Sequence, residues 1–80
     1  MAALTPRLQQ WRATFGDNLR RLREQRGFSQ ELLAERAGVD RKLIYRTELG
    51  QTSPRLDAVV QIATALGIAV RDLMPADPLR

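Results

Sequence analysis

The 80-residue sequence predicts one small all-α domain, a bundle of five helices joined by short connections. Apolar residues recur at three- and four-residue spacing and never alternate for long, which is the period of a helix and not of a strand. Capping residues precede these apolar stretches, and glycine or proline follows them. Because no repeat, linker or low-complexity run interrupts the pattern, a single hydrophobic core is expected.

The first helix is predicted to begin at Pro6, with the hydroxyl of Thr5 as its cap. It extends to Gly27, a residue suited to the left-handed conformation of a helix end. Gly16 lies inside its apolar stripe and costs roughly 1 kcal/mol relative to alanine, so the pattern admits a kink or break there. The stripe consists of Leu8, Trp11, Phe15, Leu19 and Leu22.

Two short helices follow, and each has a capping residue before it and a glycine after it. Ser29 caps the segment QELLAERA, which Gly38 ends, and Glu31 in its first turn interacts favourably with the positive helix end. Asp40 caps the next segment, which Gly50 closes. These segments are predicted as the second and third helices.

The fourth helix is predicted to start at Ser53 and Pro54, which repeat the pattern of a cap followed by proline, and to end at Gly67. Its buried face consists of Leu56, Val59, Val60, Ile62, Ala63 and Leu66. The segment AVRDLM predicts a fifth helix of one or two turns. Pro75 then ends regular structure and leaves a frayed tail.

The composition argues against an enzyme or a metalloprotein. The chain contains neither histidine nor cysteine, which removes the commonest general base, the commonest metal ligand and every thiolate site. It also lacks a glycine-rich phosphate loop and a pair of acids with an evident shared pocket. We therefore expect no catalytic residue, no metal and no cofactor. Because no apolar run approaches about 20 residues, we expect a cytoplasmic protein with no membrane partner.

The charge balance indicates an anionic partner without proving one. Lysine and arginine number 13 against 9 acidic residues, a net charge of +4, and Lys42 is the only lysine. The planar guanidinium of arginine suits phosphate groups and guanine edges. Composition alone leaves two alternatives open, a polyanionic partner and a merely solvated basic surface.

The cations of the third helix share one face. At about 100° per residue, one arc of this helix is directed to the core and the opposite arc outward. The inner arc consists of Leu43, Ile44 and Thr47. The outer arc consists of Arg41, Lys42, Tyr45, Arg46 and Leu49. No acid of this helix lies on the outer arc, although a solvated helix usually mixes both signs, so an anionic partner is indicated.

The spacing of the second and third helices predicts a helix-turn-helix over residues 30–49. Ala34 and Ala37 allow the two helices to approach closely, Gly38 takes the turn conformation, and Val39 fills the corner. In this geometry the second helix of the pair enters a DNA major groove while the first crosses the backbone.

The stretch from Asn18 to Met74 resembles the phage-repressor and Cro class of helix-turn-helix domains, also called the xenobiotic-response-element family. The residues that carry this resemblance are Arg23, Gly27, Ser29, Gln30, Leu33, Ala34, Ala37, Gly38, Val39, Ile44, Glu48, Gly50, Pro54, Leu56, Ala65, Leu66 and Gly67. The resemblance implies a five-helix, lambda-repressor-like fold. It also implies a transcription regulator that binds a palindromic operator in double-stranded DNA as a homodimer, through a recognition helix at about residues 41–49. We expect no small-molecule ligand.

The resemblance also assigns roles to individual positions. The positions that read bases in this family fall on Arg41, Lys42 and Arg46. Phosphate contacts are implied for Gln30, Arg23, Tyr45, Gln51, Thr52, Ser53 and Arg55. Because Arg23 and Glu48 also match a structural pair, both roles of Arg23 stay open. The chain departs from the family pattern at Tyr45, Thr47 and Leu49.

Domain boundaries and some alternatives complete these expectations. Residues 1–14 form an N-terminal extension of the first helix, residues 15–74 the DNA-binding domain and residues 75–80 a tail. Trp11 and Phe15 are expected in the core or at a dimer contact. The end of the bundle and a two-fold interface are both open for Ile68, Val70, Leu73 and Met74. The alternative function is an antitoxin or adaptor that uses the same fold to bind a protein.

Overall fold

Helices account for all the regular structure of residues 4–77, the part of the chain that the computed structural model describes. Their bounds are Pro6–Gln25 for α1, Gln30–Ala37 for α2, Arg41–Glu48 for α3 and Leu56–Leu66 for α4. The predicted all-α class is confirmed. The end of the predicted tail, residues 78–80, and the start of the predicted N-terminal extension, residues 1–3, lie outside the described residues.

The prediction of a fifth helix is wrong, because residues 4–77 contain four α-helices. The segment in question forms a single 3₁₀ turn, Val70–Asp72, in which the Asp72 amide donates to the carbonyl oxygen of Ala69 at 3.0 Å. The Asp72 carboxylate accepts from the Ala69 amide at 3.1 Å, which closes the turn on itself. Pro75 disfavours a helical conformation for the residue before it, so the turn has no room to lengthen.

The caps predicted for the first three helices are confirmed. The accepting atoms are Oγ1 of Thr5, Oγ of Ser29 and Oδ1 of Asp40, at 3.1, 3.0 and 2.8 Å from the donating amide nitrogens. Each cap satisfies one of the amide groups that the start of a helix leaves unpaired. The starts of all three helices therefore follow from local sequence.

The start of α4 differs from the prediction. The helix begins at Leu56, with Arg55 at the N-cap in an extended conformation and no side chain that caps the first turn. Pro54 disfavours a helical conformation for Ser53, and residues 52–55 remain non-helical. Asp57 in the first turn places a negative charge at the positive end of the helix, which partly replaces the missing cap.

The core lies where α2 packs against α4 and α3 packs against both α1 and α2. The most deeply buried side chains, each less than 2% exposed, are Leu19, Leu33, Ile44, Thr47, Ile62, Leu66 and Leu73. Phe15 is buried in this core, whereas Trp11 is half-buried and is not part of it. Ile68 and Val70 pack against the core from the segment after α4 and cover the end of the bundle.

Gly16 marks the closest approach of α1 to α3. The helix runs through this glycine without a break, so the kink that the sequence admits does not occur. A Cβ atom at Gly16 would overlap the carbonyl oxygen of Thr47 and lie 2.9 Å from that of Glu48. The glycine therefore serves the crossing of two helices, because a side chain there would push α3 away from α1.

Thr47 lies at the same crossing and is an exception to the apolar core. Its side chain is 1% exposed, and its hydroxyl finds no hydrogen-bond partner among residues 4–77. A buried hydroxyl without a partner lowers stability. The small side chain nevertheless fits a position where the two backbones are this close.

We predict that Gly16→Ala lowers the free energy of unfolding by about 2 kcal/mol. The overpacking, of order 3 kcal/mol against a backbone that cannot yield, outweighs a gain of about 1 kcal/mol in helix propensity. Urea denaturation followed by circular dichroism measures the change, with Asp17→Ala on the exposed face of α1 as the control. A Gly16→Ala protein more stable than the wild type would contradict the close crossing.

Candidate nucleic-acid interface

The two faces of α3 differ sharply in burial. Ile44 and Thr47 on the inner face are at most 1% exposed. Arg41, Lys42 and Arg46 on the outer face are exposed. Tyr45 and Leu49 share this outer face and are also half exposed, at 53% and 51%. Burial of the inner face fixes the rotation of the helix, and so fixes the three cations outward.

The turn between α2 and α3 sets the angle at which α3 is presented. Gly38 ends α2 in the left-handed region, with φ of 69°, a conformation that residues with a Cβ rarely adopt. The Val39 amide donates to the carbonyl oxygen of Ala34 at 3.0 Å, and the Val39 side chain is half-buried. Ala34 and Ala37 are at most 5% exposed, where their small side chains let the helices pack closely. The predicted helix-turn-helix geometry is present.

A buried ion pair holds the end of α3 against α1. Arg23 donates to both carboxylate oxygens of Glu48, from Nε at 2.7 Å and from Nη2 at 2.9 Å. Its Nη1 donates to the carbonyl oxygen of Phe28 at 2.8 Å. The side chains of Arg23 and Glu48 are only 12% and 4% exposed. This bidentate arrangement ties α3, α1 and the loop before α2 to one guanidinium.

The ion pair also restricts what Arg23 is able to do. The hydrogen bond to Glu48 raises the pKa of Arg23 above its ordinary value, against the opposing effect of burial, so the guanidinium stays charged. Three of its five N–H groups are used inside the protein, which leaves two for any other partner. The position is therefore structural first, and its predicted phosphate contact stays a prediction.

Gln30 joins the same cluster from the start of α2. Its Nε2 donates to Oε1 of Glu48 at 3.1 Å, so Glu48 accepts from residues on two different helices. Gln30 is half-buried at the first position of its helix. This contact braces α3 from the side of α2 and uses one of the two N–H donors of the Gln30 amide.

Of the other predicted phosphate contacts, Tyr45 lies on the outer face of α3, and four residues lie in the loop between α3 and α4. Gln51, Ser53 and Arg55 are exposed, and Thr52 is half-buried. Their side chains form no hydrogen bond or ion pair with any residue in the range 4–77. The loop side chains are therefore available to an external partner.

Glu31 is a residue of this surface whose role the sequence interpretation missed. Its Oε1 lies 2.6 Å from Nη1 of Arg41, and both side chains are exposed, at 73% and 61%. No acid of α3 itself lies on the outer face, so a helical projection of α3 alone does not show this neighbour. The signal that reveals it is the helix-turn-helix spacing, which sets the first turns of α2 and α3 side by side.

A shallow groove connects these groups. It runs between the start of α2 and the outer face of α3, and it is lined by Arg23, Ser29, Gln30, Glu31, Arg41, Lys42 and Tyr45.

Across the described part of the chain, no three acidic, histidine or cysteine side chains gather as a metal site would require. No helix within residues 4–77 has the length and apolar character to span a bilayer.

Comparison with known proteins agrees with this geometry. A family model described as a helix-turn-helix domain matches residues 14–76. A hypothetical transcription factor of Neisseria meningitidis is 34% identical over 74 residues, which cover 92% of this chain and 70% of that protein. A transcriptional regulator of Methanothermobacter thermautotrophicus is 47% identical over 49 residues, 61% of this chain and 71% of that protein.

Two solved structures have the same fold. The restriction-modification controller protein C.AhdI from Aeromonas hydrophila superposes with a TM-score of 0.77 at 41% identity, covering 79% of this chain and 96% of that one. The Neisseria transcription factor superposes with a TM-score of 0.78 at 33% identity, covering 94% and 85%.

The fold and the exposed basic helix define a helix-turn-helix protein. The chain belongs to the helix-turn-helix domain family, which confirms the resemblance between Asn18 and Met74. It is a transcriptional regulator with a helix-turn-helix DNA-binding domain. The family to which it belongs consists of DNA-binding proteins and not of enzymes.

We predict that Glu48→Ala lowers the free energy of unfolding by about 3 kcal/mol, because it leaves the Arg23 guanidinium partly buried without a counter-charge. Glu48→Gln keeps one hydrogen-bond acceptor and should lose less. Chemical denaturation measures both, with the exposed acid Glu35 changed to alanine as the control. Equal stability of the Glu48→Ala and Glu35→Ala proteins would show that the pair does not hold α3.

Proposed function

We propose that this regulator binds a palindromic operator as a homodimer, with α3 of each subunit in the major groove. The observation that carries the proposal is the outward display of Arg41, Lys42 and Arg46 on a helix whose opposite face is buried. A helix of eight residues fits the major groove, where base edges differ in their donors and acceptors. Binding to DNA would also place the protein in the cytoplasm, as expected from the sequence, and this location is part of the proposal.

Base recognition is proposed for the three outward cations. Arg46 lies in the middle of the outer face, and neither it nor Lys42 forms a side-chain hydrogen bond or ion pair with residues 4–77. The whole guanidinium of Arg46 is therefore available to the O6 and N7 atoms of guanine. Arg41 differs from both, because Glu31 already engages one of its nitrogens.

Phosphate contacts are proposed for the residues that border this helix. Those around the start of α2 and the end of α3 are Gln30, Tyr45, Gln51, Thr52, Ser53 and Arg55. Arg23 contributes only through its two remaining N–H groups. Such contacts fix the register of the protein on the duplex without reading sequence.

The homodimer is proposed because one helix reads too few base pairs and because the chain exposes apolar side chains. Leu8, Leu56 and Met74 border one groove between α1, the loop before α4 and the segment after the 3₁₀ turn, and are 50%, 70% and 37% exposed. Val60, one turn after Leu56 on α4, is 46% exposed, so the prediction that these two residues belong to the buried face of this helix is wrong. We propose that a second copy of the chain covers this apolar groove; to bind a palindromic operator, the two recognition helices would have to lie about 34 Å apart, one turn of DNA.

We predict that selection from a random DNA pool returns an inverted repeat, and that Arg46→Ala weakens binding to it by about 1–3 kcal/mol while relaxing the preference at one position of each half-site. Gln30→Ala should weaken selected and unrelated sequences almost equally, because a phosphate contact carries no sequence information. Titration of labelled duplexes measures both effects.

The matched control is Arg20→Ala, which removes the same charge from the exposed face of α1, where Arg20 pairs with Asp17. It should leave base preference unchanged. If folded Arg46→Ala protein binds the operator with unaltered affinity and preference, α3 is not the reading helix. Recovery of a protein partner in place of any preferred DNA would favour the adaptor function instead.

We predict that Leu56→Glu converts a dimeric protein into a monomer, because it sets a carboxylate in the apolar groove at a position that is solvent-exposed in the single chain. Sedimentation velocity measures the change. Gln61→Glu adds the same charge to α4 on the side of Ala37 and Thr64, and should leave the dimer intact. A Leu56→Glu protein that sediments as a dimer would exclude this face as the interface.

A further inference from the structure

We propose that Glu31 is a positioning residue for base recognition, which holds Arg41 in the orientation that reads DNA and does not itself bind DNA. The inference rests on the proposed function, because it assigns the preference at one base pair of each half-site to a carboxylate on α2. Three observations support it: the atoms that the pair uses, its place between two helix starts, and its high exposure.

The geometry of the contact leaves the reading edge of Arg41 free. The carboxylate engages Nη1 alone, at 2.6 Å, and no other hydrogen bond joins the Arg41 guanidinium to residues 4–77. A guanidinium carries five N–H donors, and recognition of guanine uses two of them. The protein therefore holds the guanidinium through Nη1, while the N–H groups on Nε and Nη2 remain free to donate to a base.

The position of Arg41 explains why it needs a partner. It is the first residue of α3, so its long side chain is able to reach either the DNA backbone or a base edge. Glu31 is the second residue of α2, and both lie along the groove between the two helix starts. An ordered guanidinium loses less conformational freedom on binding, because part of that freedom is already lost in the free protein.

The exposure of the pair argues that it serves recognition more than folding. Both side chains are more than half exposed, and exposed ion pairs contribute little to stability. A carboxylate on a surface that faces phosphates also repels DNA of any sequence. Glu31 therefore lowers the affinity for DNA of any sequence. We attribute its presence on this surface to an increase in discrimination between DNA sequences.

Two substitutions separate positioning from charge. Glu31→Asp keeps the negative charge but shortens the side chain by one methylene, so that it loses its contact with Arg41. Glu31→Gln keeps the length and one acceptor but removes the charge. Glu35→Gln is the matched control, because Glu35 is an exposed acid of the same helix whose side chain forms no hydrogen bond or ion pair with the described residues.

The measurement is binding of each protein to three duplexes by fluorescence anisotropy. The first duplex is the selected operator, and the third is an unrelated sequence. The second is the operator with one base pair changed, namely the one at which Arg41→Ala relaxes the preference. The ratio of two affinities measured on one sample does not depend on the fraction of folded protein, so a loss of stability does not imitate the effect.

We expect Glu31→Asp to reduce discrimination at the Arg41 base pair by about tenfold, within the range set by one bidentate contact, and Glu31→Gln, which keeps one acceptor for Arg41, to reduce it less. Glu31→Gln should in addition bind the unrelated duplex more tightly than the wild type. In the Arg41→Ala background neither change should alter discrimination further. Glu35→Gln should keep the wild-type discrimination.

The contrary outcomes are distinct from a failure of the proposed function. If Arg41→Ala relaxes one position but both Glu31 variants discriminate like the wild type, Glu31 does not position Arg41. If Arg41→Ala alters no position while Arg46→Ala does, α3 still reads the groove and only the inference about Glu31 is overturned. A wild-type protein with no preferred DNA sequence would overturn both.

Discussion

At the crossing of α1 and α3, the backbone of α3 occupies the space that a side chain at Gly16 would fill. This approach brings the end of α3 within reach of the Arg23 guanidinium, whose bidentate bond to Glu48 then fixes it. Gln30 adds a bond to the same carboxylate from the side of α2. Removal of either partner leaves a charge without compensation, so the pair tolerates little displacement of the helix.

The orientation of the outer face follows from this constraint. Because Ile44 and Thr47 on the inner face of α3 are buried, the cations on the opposite face are exposed to solvent. Lys42 and Arg46 then remain unpaired within residues 4–77, while Arg41 is held from α2 by Glu31. Because the backbone of this helix is held in place, its ordering costs little on binding DNA, which favours affinity.

Local signals in the sequence predicted most of the fold and the faces of the candidate recognition helix. The caps at Ser29 and Asp40 and the apolar period depend on neighbouring residues only, so a single sequence contains them. The prediction of a fifth helix is wrong, because the short apolar segment before Pro75 forms only a 3₁₀ turn that the Asp72 carboxylate closes on the Ala69 amide. The contact at Gly16 and the partner of Arg41 depend on how helices meet, which no helical projection of one segment includes.

Groove-specific methylation of the operator tests the central claim, that this rigidly held helix binds in the major groove. Guanine N7 lies in the major groove and adenine N3 in the minor groove, so methylation at each atom blocks only the protein that occupies that groove. The expected result is that N7 methylation at guanines in both half-sites prevents binding, while N3 methylation there has no effect. Interference confined to adenine N3 would contradict major-groove recognition by α3.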